Sequence, residues 1–339
     1  MSLDRVKTIG DLASYIYIAK PELISMDTEK LYHVFQVKKK AGSDEKRTIE
    51  SPYGKLKEAL ARLADGFQWL YFEHKTDAAY GFVRSYEHDA DKRNILSNAT
   101  AHLGRDFMLK VDFDDFFHQV DLDKLKKLFS DYTLFSFLPE TEEFLTKFVT
   151  LHGRLPMGSP ASPVLTNFAT ILLDHELLNW CRQHAIVYTR YVDDLTFSAK
   201  KPITEAHFAH LSSIFDSHRF RIDPEKTVWY GEKDEKEVTG LIVGDTISIP
   251  ADYLADIEKN IEKLGHVFAY ANRFPDWRIH DWLEKLKQTI HGQIAFVGSI
   301  YGKHHPICEK LTDLLHRAVE QVDFEESISW RYIGYELPG

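Results

Sequence analysis

The sequence predicts an α+β protein, an antiparallel sheet covered by helices on one face. Two observations carry this. Phe107 to Phe113 is a strong strand run that ends in acid, with Asp112 followed by Asp114 and Asp115, and Ile186 to Ala199 (IVYTRYVDDLTFSA) reads as a short β-hairpin with Asp193 and Asp194 at its tip. A third is the alternation around them: strand with acid, helix, hairpin with acid, helix, strand, then about ninety mostly helical residues.

In chain order, the first forty residues read as helical, with Leu12, Tyr15 and Ile16, then Leu31, Phe35 and Val37, as apolar faces. KKKAGSDEKRTIESP from Lys38 reads as two strand ends joined by a polar turn, and Pro52 stops it. Helical spacing returns from Lys55 to Leu70. Ala78 to Val83 is short, apolar and glycine-bearing, and the charged run SYEHDADKR after it reads as a loop. Leu122 to Val149 is helical. The loop from Gly153 to Pro163 then opens one long helix, with Leu165, Phe168 and Leu172 in register, that ends near Gln183. Beyond the hairpin come an amphipathic helix through Phe208, Leu211 and Phe215, then strands from Phe220 to Tyr230 and Val238 to Pro250.

At 339 residues the chain can hold two or three packed subdomains, and no repeat or Pro/Gly-rich linker separates them. A hydrophobic fraction of 44% with 28% charged residues is that of an ordinary globular protein. No apolar run approaches the ~20 residues of a membrane span, and Met1-Ser2-Leu3-Asp4 does not open a signal peptide, so a cytoplasmic protein with no membrane partner is expected. Cys181 and Cys308 lie far apart in no Cys/His pattern, which supports neither a disulfide framework nor a zinc site. The net charge of −10 argues against nucleic acid, yet basic residues cluster at Lys38-Lys39-Lys40 with Lys46-Arg47, at Lys55 and Lys57, and at Lys124-Lys126-Lys127.

An aspartate closing one strand and a pair at a hairpin tip converge if those strands are neighbours. Carboxylates are the ligands magnesium prefers, and two ions ~3.5–4 Å apart can clamp the attacking and leaving oxygens of an in-line phosphoryl transfer. Asp112 and Asp193 are the expected principal ligands of two Mg2+ ions, with Asp194 the third carboxylate and Phe113 included in the metal set. The chemistry would be nucleotidyl transfer.

These motifs resemble reverse transcriptases, in the right order along most of the chain. YVDD is the hairpin of that family, LKVDFDDFF (Leu109 to Phe117) is similar to its first aspartate motif, and LPMGSPASPVLTN (Leu155 to Asn167) resembles its template-and-nucleotide loop. Within the family the chain looks most like the bacterial retron enzymes. Asn98, Ala99 and His102 match their Asn-Ala-x-x-His signature, Val238, Thr239 and Gly240 their Val-Thr-Gly signature, and Arg47, Ile49 and Pro52 their Arg-x-Ile-x-x-Pro segment. The resemblance implies a right-hand architecture: fingers over 1–105, palm over 106–248 with finger-side insertions around 120–160, and a helical, RNA-binding thumb over 249–339.

It also implies residue roles. Phe117 matches the gate under the incoming sugar and Lys226 the lysine that protonates the departing pyrophosphate. Arg47, with Lys38 or Lys40, would clamp the triphosphate of a deoxynucleotide, since a guanidinium fork suits phosphate oxygens. Met157 stands where many relatives have Gln, beside Gly158 in the nucleotide loop, and Val192 where many have Ala. Asn98, His102, Val238, Thr239 and Gly240 would contact RNA or template. So would His291, Tyr301 and Lys303, in a basic and aromatic thumb segment.

The resemblance implies an enzyme that copies part of its cognate structured noncoding RNA into a short DNA that stays RNA-linked. Its partners would be that RNA, the RNA–DNA product, an effector protein in anti-phage defence, and a host RNase H. The alternatives are another bacterial reverse transcriptase, of abortive-infection, diversity-generating or group II intron type, and a catalytically silent RNA-binding scaffold restraining an effector. Intact Asp112, Asp193 and Asp194 speak against silence.

Overall fold

The computed structural model of the protein describes residues 2–38, 44–86, 89–273 and 277–320. It divides into two units, one of residues 1–239 with 243–245, the other of 240–242 with the residues from 246 onward.

The first unit opens with α1 (Ile9–Tyr15) and α2 (Lys20–Ser25). Thr8 and Asp11 form a capping box that starts α1. The helical expectation then fails. Leu31, Phe35 and Val37 do not line a helix, because Tyr32–Lys38 is a strand, β1, paired antiparallel with β2 (Lys46–Pro52). Tyr32, Val34, Phe35 and Val37 are β-branched or aromatic, and pairing with β2 satisfies the backbone groups that a helix would otherwise use. The two expected strand ends are thus real, and the join between them falls partly outside the described residues.

Next come α3 (Gly54–His74), α4 (Ile95–Thr100), β3 (Phe107–Phe113), α5 (Leu122–Phe129) and α6 (Pro139–Phe148). The long helix expected after Pro163 is two, α7 (Ser162–Ala169) and α8 (Ile171–Gln183), broken at Thr170. The Thr170 hydroxyl donates to the Thr166 and Asn167 carbonyls, competing with the regular ladder there. The hairpin is β4 (Val187–Tyr191) and β5 (Asp194–Ala199), followed by α9 (Glu205–Ser217) and β6 (Ile222–Tyr230).

Strand order in the central antiparallel sheet is β4-β5-β3-β6, so β3 and the hairpin are neighbours as the convergence of their acids requires. Leu109, Val111 and Phe113 of β3 are buried with Leu195 and Phe197 of β5 on one sheet face. Phe67, Phe129, Phe135, Phe137 and Phe168 form an aromatic cluster in the same core, with ring centroids 5.1–6.4 Å apart. The opposite face carries Lys110, Asp112 and Asp194 at one end.

Short strands β7 (Lys236–Val238), β8 (Leu241–Val243) and β9 (Ile247–Ser248) replace the single strand expected from Val238 to Pro250. The second unit continues with α10 (Ala251–Arg273), α11 (Trp277–Tyr301) and α12 (Pro306–Glu320). Its core includes Ile257, Ile261, Leu264, Ile290, Val297, Leu311 and Leu315. No helix among the described residues is long and apolar enough to cross a membrane.

Candidate active site

Asp112 stands opposite Asp194 in the β3–β5 register, and Asp193 occupies the turn of the hairpin. Side chains directly opposite on antiparallel strands share a face, so sheet pairing brings two carboxylates together without any help from loops. Two contacts fix the turn. The Asp193 carbonyl accepts from Phe113 N–H at 3.0 Å, and Val192 takes a left-handed conformation (φ 64°). Such a backbone is costly for a β-branched residue and persists only where its surroundings impose it.

Those surroundings are specific. Arg190, wholly buried on β4, donates from Nη1 to the Val192 carbonyl (3.1 Å) and to Asn167 Oδ1 (3.1 Å). Its Nε and Nη2 donate to Asp174 at 3.0 and 2.7 Å, and Asp174 also accepts from Tyr188 and Thr76 hydroxyls. From the other side Gly81 presses on the turn: a Cβ there would lie 2.6 Å from both Val192 N and Cγ2. The 78–81 segment runs beside β4, with Arg190 N–H donating to the Ala78 carbonyl and Tyr80 N–H to the Arg190 carbonyl.

The electrostatics record the crowding. Burial, then the neighbouring charge of Asp112, pushes the Asp193 carboxyl up to about 6. Burial raises Asp112 as well, against the pull of Lys226, whose Nζ lies 2.7 Å from its Oδ1. Lys110 Nζ is 3.0 Å from Asp194. Among the described residues no three His, Cys, Asp or Glu side chains already stand at metal-holding spacing. The donor chemistry nonetheless fits a hard divalent cation. Burial and then mutual repulsion disfavour the charged forms of Asp112 and Asp193, which a cation would offset, and two lysines already supply positive charge beside them.

Lys226 reaches Asp112 through a bulge. Lys110 pairs with Val228 and Asp112 with Asp223, so four residues of β6 oppose one of β3. Phe117 is half-buried in a 3-10 turn (Phe116–Gln119), its ring 6.0 Å from Phe116 and 6.1 Å from Phe82. Met157 is half-buried and Gly158 exposed with φ 126°; a Cβ on Gly158 would meet the Glu50 carbonyl at 2.9 Å.

Arg47 is exposed on β2, where Val37 is its partner and Ile49 shares its face. Ile49 Cγ2 lies against the Gly158 position, so that face looks toward the nucleotide loop. Lys38 pairs with Lys46 and therefore points to the opposite face of the ribbon from Arg47. Lys40 lies outside the described residues.

The RNA-facing expectations need the largest correction. His102 is 0% exposed, with Nδ1 2.7 Å from Ser198 Oγ and Nε2 2.8 Å from Thr189 Oγ1, and burial holds it down at about 3. Asn98 is 1% exposed and Val238 0%. Side chains without surface cannot touch RNA. Thr239 donates from Oγ1 to the Ile95 carbonyl at 3.2 Å, so it meets the start of α4, the helix that carries Asn98 and Ala99. Gly240 is exposed with φ 80°, next to Thr239 with φ 49°, in a turn that glycine favours. In the second unit His291 and Lys303 are exposed, whereas the Tyr301 hydroxyl accepts from Ile249 N–H at 2.7 Å and its ring stacks on His305.

Sequence reasoning overlooked three groups. Lys110 was accessible from period-2 alternation, being two residues before Asp112 on the same strand face. Arg190 is a charge inside an otherwise β-forming run, which marks a buried partner. Glu50 and Arg154, which bond in bidentate fashion, are 104 residues apart and nothing local announces them.

A carboxylate cluster where the β4–β5 hairpin meets β3 of an antiparallel sheet packed with helices is the arrangement of a right-hand nucleic-acid polymerase. The family model for reverse transcriptase (RNA-dependent DNA polymerase) matches residues 37–266. Among curated proteins, the chain is 29% identical over 304 residues to the retron Ec86 reverse transcriptase of Escherichia coli, covering 85% of each. It is 32% identical over 244 residues to the retron Mx162 reverse transcriptase of Myxococcus xanthus, covering 64% of this chain and 48% of that one. The telomerase from Candida albicans in complex with a fragment of telomeric RNA overlays with a TM-score of 0.47 at 10% identity, over 85% of this chain and 63% of that chain, a level from which nothing is transferred. The chain belongs to the reverse transcriptase family, among the retron reverse transcriptases, and is an RNA-directed DNA polymerase.

Proposed function

We propose that this polymerase copies part of a cognate structured noncoding RNA into a short single-stranded DNA that stays linked to the RNA. The single observation that carries the catalytic reading is the Asp112–Asp194 register pair with Asp193 at the adjoining turn. Asp112, Asp193 and Asp194 would hold two Mg2+ ions, joined at Phe113 by the main-chain oxygen, since its side chain offers no ligand. Bound there, the ions supply Lewis-acid activation of a primer hydroxyl and charge neutralisation on the pyrophosphate.

The chain's own residues do the rest. Arg47 would hold triphosphate oxygens, Phe117 would exclude a 2′-OH, and Lys226 would give a proton to the leaving group. Residues 1–105, 106–248 and 249–339 would serve as fingers, palm and thumb, with His291 and Lys303 available to RNA in the last. An effector protein, with anti-phage defence as the output, and a host RNase H acting on the product complete the reading. The test is to express the chain with its flanking DNA, purify it, and look for a bound RNA–DNA hybrid molecule. RNA alone, or no nucleic acid, overturns the proposal.

A further inference from the structure

Glu50 lies on β2, 4% exposed, and contacts both the turn that carries Phe117, through His118, and the loop at Met157 and Gly158. Arg154 donates to it in bidentate fashion, Nη1 to Oε2 at 2.9 Å and Nη2 to Oε1 at 3.0 Å. His118 Nε2 lies 3.2 Å from Glu50 Oε2, and His118 Nδ1 lies 2.6 Å from Asp115 Oδ2. The backbone takes part as well. Glu50 N–H donates to the Met157 carbonyl at 2.7 Å, and the Glu50 carbonyl packs so closely on Gly158 that a Cβ there would sit 2.9 Å away.

Asp115 precedes the turn that carries Phe117 and His118 lies within it, and that turn begins from a left-handed Asp115 (φ 46°). Aspartate is one of the few non-glycine residues that adopt that conformation, because its short side chain can bond locally. The imidazole bridge from Asp115 to Glu50 holds the turn on one side, while on the other Gln119 Nε2 donates to the Asp114 and Arg221 carbonyls and Asp114 N–H to the Arg221 carbonyl. Burial alone would raise the Glu50 carboxyl, but Arg154 and His118 outweigh it and hold the group below the usual range.

We infer that Glu50 is a positioning residue for sugar selection: through His118 and Asp115 it fixes the turn bearing Phe117, and through Met157 and Gly158 it fixes the facing wall. The width of the slot for the incoming nucleotide's 2′ position follows from both. This inference rests on the reading of Phe117 as the gate. A merely structural ion pair would affect melting temperature and lower rates with every nucleotide alike.

The experiment uses the full chain, an oligo(dT) primer on a poly(rA) template, and dTTP against UTP. Phe117→Ala, Glu50→Gln and the double variant are compared in kcat/KM for each nucleotide. Glu50→Gln is expected to reduce the preference for dTTP by ~10-fold or more, acting on KM more than on kcat. In the Phe117→Ala background the same change should shift the preference by less than ~2-fold, because the two act through one element.

If Phe117→Ala leaves the preference unchanged, the gate reading fails and takes this inference with it. If Phe117→Ala relaxes the preference but Glu50→Gln does not, or the two effects are fully additive, Glu50 has no such role and the gate stands. Should Glu50→Gln not fold, His118→Asn severs the same link at a less buried side chain and is judged by the same comparisons.

Discussion

Lys226 Nζ sits 2.7 Å from Asp112 Oδ1, and a bulge in β6 is what lets it reach across from the edge strand. Burial alone would lower its ammonium, but the Asp112 carboxylate outweighs it and raises the group above its ordinary value, which keeps it charged at neutral pH as the proposed proton donor requires. Lys226→Met is expected to lower the single-turnover rate of nucleotide addition by ~10²-fold or more with little change in dTTP affinity. A loss confined to KM would make Lys226 a binding group instead.

Asp193→Asn should abolish extension, with template RNA binding kept within ~3-fold, since removing a transition-state group costs rate rather than affinity. Burial and the Asp112 charge push Asp193 up to about 6, so at neutral pH its ionised form is held against repulsion. The neutral amide relieves that, and the melting temperature of the metal-free variant should equal or exceed that of the parent. Extension by Asp193→Asn with magnesium and deoxynucleotides would remove Asp193 from the metal set.

Much of this site was legible in the sequence because it is local. Phe107–Phe113 and the hairpin carry their period-2 pattern and their acids together, and the structure places both where the pattern says. Tyr32–Lys38 reads as helix in sequence because this strand is exposed along nearly its whole length and has no buried stripe to impose alternation. His102 was misread because burial is a tertiary fact: a histidine before a strand looks the same whether it meets RNA or Ser198 and Thr189. That Lys38 and Arg47 face opposite sides of the ribbon follows from register, which cannot be read until the strand partners are known.

Arg190 makes a stability prediction that separates it from the catalytic acids. Arg190 and Asp174 are both 0% exposed, and an uncompensated carboxylate in such a place typically costs ~3–5 kcal/mol. Arg190→Met should therefore unfold at a markedly lower denaturant concentration. Arg190→Met with Asp174→Leu should recover most of that stability while extension stays impaired, because the Val192 carbonyl still lacks its donor. Full recovery of extension in the double variant would show that the arginine merely balances Asp174.

His102 gives the pH dependence its sign. Its folded-state value, about 3, lies below the ordinary histidine value of 6.5 because burial disfavours the imidazolium. The unfolded chain thus takes up a proton as pH falls below 6.5 while the folded chain does not until pH nears 3. The stabilisation is complete above pH 6.5 and is lost as pH falls through that window, at a limiting slope of about 1.4 kcal/mol per pH unit. His102→Gln keeps one hydrogen-bonding arm toward Ser198 or Thr189 and has nothing to titrate. Denaturant unfolding at pH 7.0 and 5.0, both chosen about this histidine window, should show the parent losing ~2 kcal/mol more than the variant. Equal losses in the two proteins would mean that His102 is charged in the folded state and that its place between Ser198 and Thr189 is not the neutral one described.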